Sequence, residues 1–239
     1  MHSPLHQFEI EKIFNFSIAG VDLPFTNSAL YMLLSVLAVA LLVFSSGRSI
    51  EKPGVIQVFA EKIFGFIQSL VEENIGQTGQ KYIPLVFSLF TFILFGNLFG
   101  MIPYAYTFTS QIILTFALAL VVFVLITLIG FIKHGFHFFS YFLPPGAPIF
   151  MAPLLIVIEI ISFLSRPISL SIRLFANMMA GHTMLKVFSM FTISLGVFGF
   201  STIIATSVLI GFEFMIAFLQ AYVFSVLTCL YLRDVIELH

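Results

Sequence analysis

Arg173 lies inside the stretch Ile168–Met190, ISLSIRLFANMMAGHTMLKVFSM, which is apolar and long enough to cross a bilayer. A guanidinium keeps its proton in proteins, and holding one near mid-membrane costs about 2.5–3.5 kcal/mol. No acidic residue stands close to it in sequence, so the charge calls for a counter-ion from elsewhere, including from another chain. Five further polar residues punctuate the last part of the chain: Glu159, Asn177, His182, Glu213 and Gln220. An imidazole titrates near neutral pH and can pass protons, and an intramembrane carboxylate beside it can hold or relay one. Asn177 and Gln220 can orient a guanidinium without neutralising it. These residue types point to proton movement across a membrane, with His182 and Glu213 at an entrance, Glu159 at an exit, and Arg173 as a fixed positive barrier between them.

The elements that must position these residues are two long helices. Residues 149–190 read as continuous helical pattern, interrupted only by Pro153 and Pro167. At about 1.5 Å per residue this is about 60 Å, twice the hydrocarbon thickness, so the helix must tilt or curve, with Pro167 as the expected bend. Gly196-Val197-Phe198-Gly199 breaks the pattern, and a second helix is expected over 200–237. Folded as an antiparallel hairpin about Val197, the chain is expected to place Arg173 beside Gln220, His182 beside Glu213, and Glu159 beside Arg233 and Asp234. Glu159, Arg166 and Arg173 are seven apart and share a face, whereas His182 turns to the opposite side from Arg173. Lys186 and Arg233 are expected to snorkel from helix ends, and for Arg166 snorkelling and a place within the face it shares with Arg173 both stay open.

The remainder is equally apolar. Of 239 residues, 60% are hydrophobic and 9% charged, against roughly 25% charged in soluble domains, so the chain reads as an all-α, polytopic membrane protein forming a single membrane domain. An N-terminal segment (1–25) precedes a first span over 26–46. An amphipathic surface helix over 53–76 follows, with Val58, Phe59, Ile63, Phe66, Ile67 and Leu70 on its apolar face. Further spans are expected over 83–103 and 110–132, making about five spans with the tilted hairpin, and LPPGAP (143–148) is a break. Arg48, Lys52, Lys81, Lys133 and His134 assign the intervening ends to the matrix or cytoplasmic side. A net charge of −1 excludes a basic field for nucleic acid. The one cysteine, Cys229, excludes an intrachain disulfide. No metal, nucleotide or nucleophile motif is present, so neither a cofactor nor a catalytic site is expected. Asn97, between Gly96 and Gly100, is expected to serve helix packing. The abundance of Phe (32) with no Trp fits AT-rich, organellar coding.

Five strings carry a resemblance in order along the chain: GNLFGMIP, PPGAP, IEIIS before Arg166-Pro167, RLFANMMAGH, and FEFMIAFLQAYVFSVLTCLYL. Together they resemble subunit a of the F-type ATP synthase, the stator subunit beside the rotating c-ring, over the whole length. The resemblance implies that Arg173 is the stator arginine facing the c-ring carboxylates, with Asn177 and Gln220 as polar companions. It assigns Glu159 to the half-channel on the catalytic-head side and His182 with Glu213 to the other. Many bacterial members carry Glu at the first of these two positions and His at the second; here they are exchanged, as in mitochondria and some alphaproteobacteria. The resemblance therefore implies a multi-pass protein of the mitochondrial inner membrane, or alternatively of a bacterial plasma membrane. The partners it implies are the c-ring, peripheral-stalk and other membrane-sector subunits, the lipid bilayer and protons. A coupled transporter would need its own cycling midplane carboxylate and paired broken helices, and a non-conducting scaffold would leave the aligned polar clusters without a use.

Overall fold

A computed structural model describes residues 12–18, 21–46, 54–102, 105–142, 149–194 and 199–237. Arg48 and Lys52, the LPPGAP break and Val197 at the hairpin turn lie outside the described residues. The chain runs through strands β1 (Lys12–Ile18) and β2 (Val21–Thr26) into helix α1 (Asn27–Ser46). Helix α2 (Val55–Ile75) follows, then a 3-10 segment (Gln77–Tyr82) leading into α3 (Ile83–Gly100). After a short 3-10 turn (Phe108–Ser110) come α4 (Ile112–His134), α5 (Ala152–Ser194) and α6 (Gly199–Ile236). Among the described residues, five helical segments are long and apolar enough to cross a bilayer: Asn27–Phe44, Gln77–Gly100, Ile112–Phe138, Ala152–Thr192 and Gly199–Ile236. The protein is an all-α membrane protein apart from one N-terminal β-hairpin.

That hairpin is unanticipated. Its strands pair antiparallel from Ile18↔Val21 to Lys12↔Thr26, with an irregularity between Lys12 and Phe14. The alternation in KIFNFSI is the period-2 signal, but a run this short carries little weight beside long apolar helices.

Helix α3 is the centre of the packing. Val86, Phe90, Thr91, Ile93 and Asn97 are fully enclosed, with α1, α2 and α6 against it. Between helices in lipid there is little hydrophobic drive, so association rests on close packing and hydrogen bonds. Glycines make the approach possible. A Cβ at Gly96 would overlap the Phe108 ring, one at Gly100 would overlap the Thr107 hydroxyl, and one at Gly130 would overlap Val235 and Phe138. Asn97 does more than pack: its amide donates to Ala217 O at 3.2 Å, and its Oδ1 accepts from Thr109 at 2.8 Å.

Helix α2 buries Ile63, Ile67, Leu70, Val71 and Ile75 against its neighbours. Val58 and Phe59, expected on the same apolar face, are 41% and 51% exposed. The apolar stripe divides because the buried line runs along the whole helix through Gln57, Ala60, Ile63 and Ile67, leaving Val58 and Phe59 to its side, while Phe66 meets Phe90, Phe218 and Tyr222. At the far end of the bundle Lys133 Nζ donates to Ile236 O at 2.9 Å. A cation thus meets the unpaired carbonyls and negative dipole end of α6, and the ends of α4 and α6 come to one level.

The glycine contacts yield a stability prediction. Gly100→Ala is expected to cost about 1–3 kcal/mol through overpacking, read as earlier loss of the assembled complex on heating in detergent. Gly211→Ala, with nothing near its added Cβ, is expected to leave that temperature unchanged.

Candidate functional site

Helices α5 and α6 form the hairpin on which the candidate residues sit. Helix α5 spans 43 residues, about 65 Å at about 1.5 Å per residue, so it exceeds the bilayer and must lie oblique or curved. The helix continues past Pro167, which is buried and has no N–H to donate to the preceding turn. Leu170, Leu174 and Met178 form its inward stripe, each at most 4% exposed.

Arg173 lies off that stripe and is exposed. It makes no ion pair or hydrogen bond among the described residues. Gln220 is buried at 5% exposure and does not bond to it. Asn177 is half-buried one turn further on. Beyond Arg173 the surface of α5 holds an apolar groove of about 550 Å³, lined among others by Ala176, Met179, Ala180, Thr183, Met184 and Val187. Small residues there leave room for another helix to approach closely.

His182 turns the other way. Its Nδ1 lies 3.1 Å from Glu213 Oε1 on α6, and its Nε2 lies 2.9 Å from the Thr107 hydroxyl in the α3–α4 connection. Glu213 is 3% exposed, and neither of its carboxylate oxygens has a hydrogen-bond partner among the described residues. A Cβ at Gly181 would come within 2.9 Å of the carboxylate, so glycine at that position lets the acid pack against the α5 backbone. Ala217, one turn past Glu213, receives the Asn97 amide. The polar groups Thr107, His182, Glu213, Asn97 and Thr109 thus run through the contact between α3, α5, α6 and the connection. Tyr106, also in that connection and outside the spans, has its phenol pushed up to about 12 by burial, partly offset by a hydrogen bond from Gln111.

At the opposite end the expected neighbours differ. Asp234 pairs with Arg166 at 3.2 Å, and Arg233 pairs with Glu237 on its own helix at 3.2 Å. Glu159 is half-buried and joins neither. Near the turn the facing residues agree with a fold about Val197: their numbers total 394 for Thr192 with Thr202 and 395 for His182 with Glu213. For Arg166 with Asp234 the total is 400. The register between the two helices has thus shifted by six residues at this end, and Glu159 makes no ion pair or hydrogen bond with α6 among the described residues. Arg166 does not snorkel; its guanidinium is also stacked 4.8 Å over the Tyr231 ring and 5.6 Å over Phe163. The Tyr231 phenol lies within electrostatic range of both Arg166 and Arg173.

The sequence stretch from residue 29 to 233 matches the family described as ATP synthase A chain. The chain belongs to that family. Two relatives, each described as ATP synthase subunit a and both from Rhodospirillum rubrum, are 51% identical over 244 residues, covering 100% of this chain and 100% of each relative. Of the contacts that this member of the ATP synthase A chain family makes, those of Thr107, Thr109, Tyr231 and Asp234 went unforeseen. GNLFG hints at the close packing that seats Thr107, but no spacing rule links Thr107 to a histidine 75 residues away.

The Arg166–Asp234 pair gives the second prediction. A double-mutant cycle with Arg166→Leu and Asp234→Leu is expected to show coupling of about 1 kcal/mol or less, because the acid is 42% exposed and such pairs are screened. Retention of the complex against denaturing detergent measures it, and additive losses would mean the two do not interact.

Proposed function

We propose that this chain is the proton-translocating stator subunit of the membrane sector of an F-type ATP synthase. It holds two offset aqueous half-channels, and an arginine between them faces the carboxylates of a rotating c-ring. The family supports the membrane-sector role, and the observation that carries the finer reading is Arg173. It is a permanent cation at membrane depth, exposed, without an acid of its own chain among the described residues, beside an apolar groove suited to a partner helix.

The mechanism follows from charge. A proton enters through the cavity at His182 and Glu213 and neutralises a c-ring carboxylate, whose ionised form would be costly against lipid. The neutral site rotates away through the bilayer. After nearly a full turn it reaches the second cavity, which Glu159 lines, and loses its proton. Arg173 favours the ionised acid there by opposite-charge attraction and repels a proton taking the short route between cavities. Asn177 and Gln220 serve as its polar neighbours. Each charge moved through 100 mV contributes about 2.3 kcal/mol. No catalytic site, cofactor or metal is assigned to this chain; c-ring, peripheral-stalk and other membrane-sector subunits are its proposed partners.

The relatives named above are bacterial and lend the mitochondrial expectation no support. We place the protein in a bacterial plasma membrane, with the His182–Glu213 arrangement matching the exchange found in some alphaproteobacteria.

Arg173→Ala is expected to reduce proton-driven ATP synthesis in membrane vesicles to background while the complex still assembles. Normal coupled synthesis by an assembled mutant complex would remove the central assignment.

A further inference from the structure

We propose that Thr107 is a positioning residue for the entrance pair, holding the His182 ring in both of its protonation states. This rests on the function proposed above. The geometry is specific. Thr107 is 5% exposed, and its hydroxyl is 2.9 Å from His182 Nε2 while Nδ1 of the same ring is 3.1 Å from Glu213 Oε1. The ring therefore has a carboxylate at ion-pair distance from one nitrogen and an alcohol hydrogen-bonded to the other. With the proton of a neutral imidazole on Nδ1, the side of the carboxylate, Nε2 has a lone pair and needs a donor there. An imidazolium has N–H at both positions and needs an acceptor. A hydroxyl can be either, because its hydrogen rotates. A carbonyl or an ammonium in its place would fit one state only. Thr107 keeps its contact as the ring gains a proton, when Nε2–H donates to Oγ1 and the hydroxyl hydrogen turns away, and again as the ring loses it.

The surroundings fix the hydroxyl in place. Gly100 opens the space that the Thr107 side chain fills. Ser110 Oγ donates to Thr107 O at 2.6 Å, setting the start of the 3-10 turn. Two residues on, Thr109 donates to Asn97, whose amide is tied to Ala217 O one turn from Glu213. The connection is thus tied to α3, and α3 in turn to α6. Without the hydroxyl the ring loses its hydrogen bond, Nε2 is left unpaired, and proton passage slows because the ring samples unproductive orientations.

The test uses the assembled complex in membrane vesicles, comparing Thr107→Val, Thr107→Ser and His182→Ala for proton-driven ATP synthesis and for passive proton conduction. Valine keeps the shape and loses the hydroxyl; serine keeps the hydroxyl and loses a methyl. The expected result is a slowing of about tenfold in Thr107→Val, below the ~10²–10⁴ carried by a proton-transferring group itself, with Thr107→Ser within about twofold of the parent and His182→Ala slower than either. A packing role predicts the reverse order, with valine near normal and serine impaired, and that result overturns the proposal. Normal conduction in Thr107→Val with impaired His182→Ala overturns this proposal alone. Unimpaired conduction in His182→Ala overturns the entrance assignment on which it rests.

Discussion

A guanidinium at membrane depth is the constraint around which the hairpin is organised. Hydrocarbon penalises it by about 2.5–3.5 kcal/mol, and it cannot escape by losing its proton. The other cation of that face, Arg166, is satisfied within the chain by Asp234 and the Tyr231 and Phe163 rings. Arg173, two helical turns on, is held out on an exposed surface. The contrast between a satisfied arginine and an exposed one on a single helix fits the stator role proposed for Arg173, because a resident acid would quench its charge.

Helix phase separates the functions. Arg173 and the apolar groove beyond it occupy the outer side of α5, while His182 reaches inward to Glu213 and Thr107. The inward set is braced by residues of α3 and the α3–α4 connection, through Asn97, Thr109 and the glycines that let the connection sit tightly. Helix α3, which carries no acidic residue, thereby helps to brace the contact between His182 and Glu213. Lipid supplies no hydrophobic drive between helices, so these hydrogen bonds and close contacts carry a larger share of the specificity than they would in a water-soluble domain.

Much of this was legible in the residues alone, and the limits are physical. Apolar runs of span length identify the helices because a bilayer tolerates little else. The His182–Glu213 contact followed from antiparallel folding, since near a turn the register has little length over which to drift. Farther out the drift accumulates, and Asp234 faces Arg166 instead of Glu159. Sequence spacing holds no record of how the register drifts along a long hairpin. Nor does it link Thr107 to His182, a contact between elements on separate parts of the chain. The division of the α2 apolar stripe, with Ile67 enclosed and Phe59 exposed, likewise depends on which neighbours arrive.

The most direct test of the central claim is a structure of the assembled membrane sector with the Arg173 side chain resolved. The account predicts its guanidinium facing a ring of partner helices, with a partner carboxylate within about 4–6 Å and water-filled cavities reaching it from opposite membrane surfaces. A guanidinium bound by an acid of its own chain, or surrounded only by lipid tails, would contradict it.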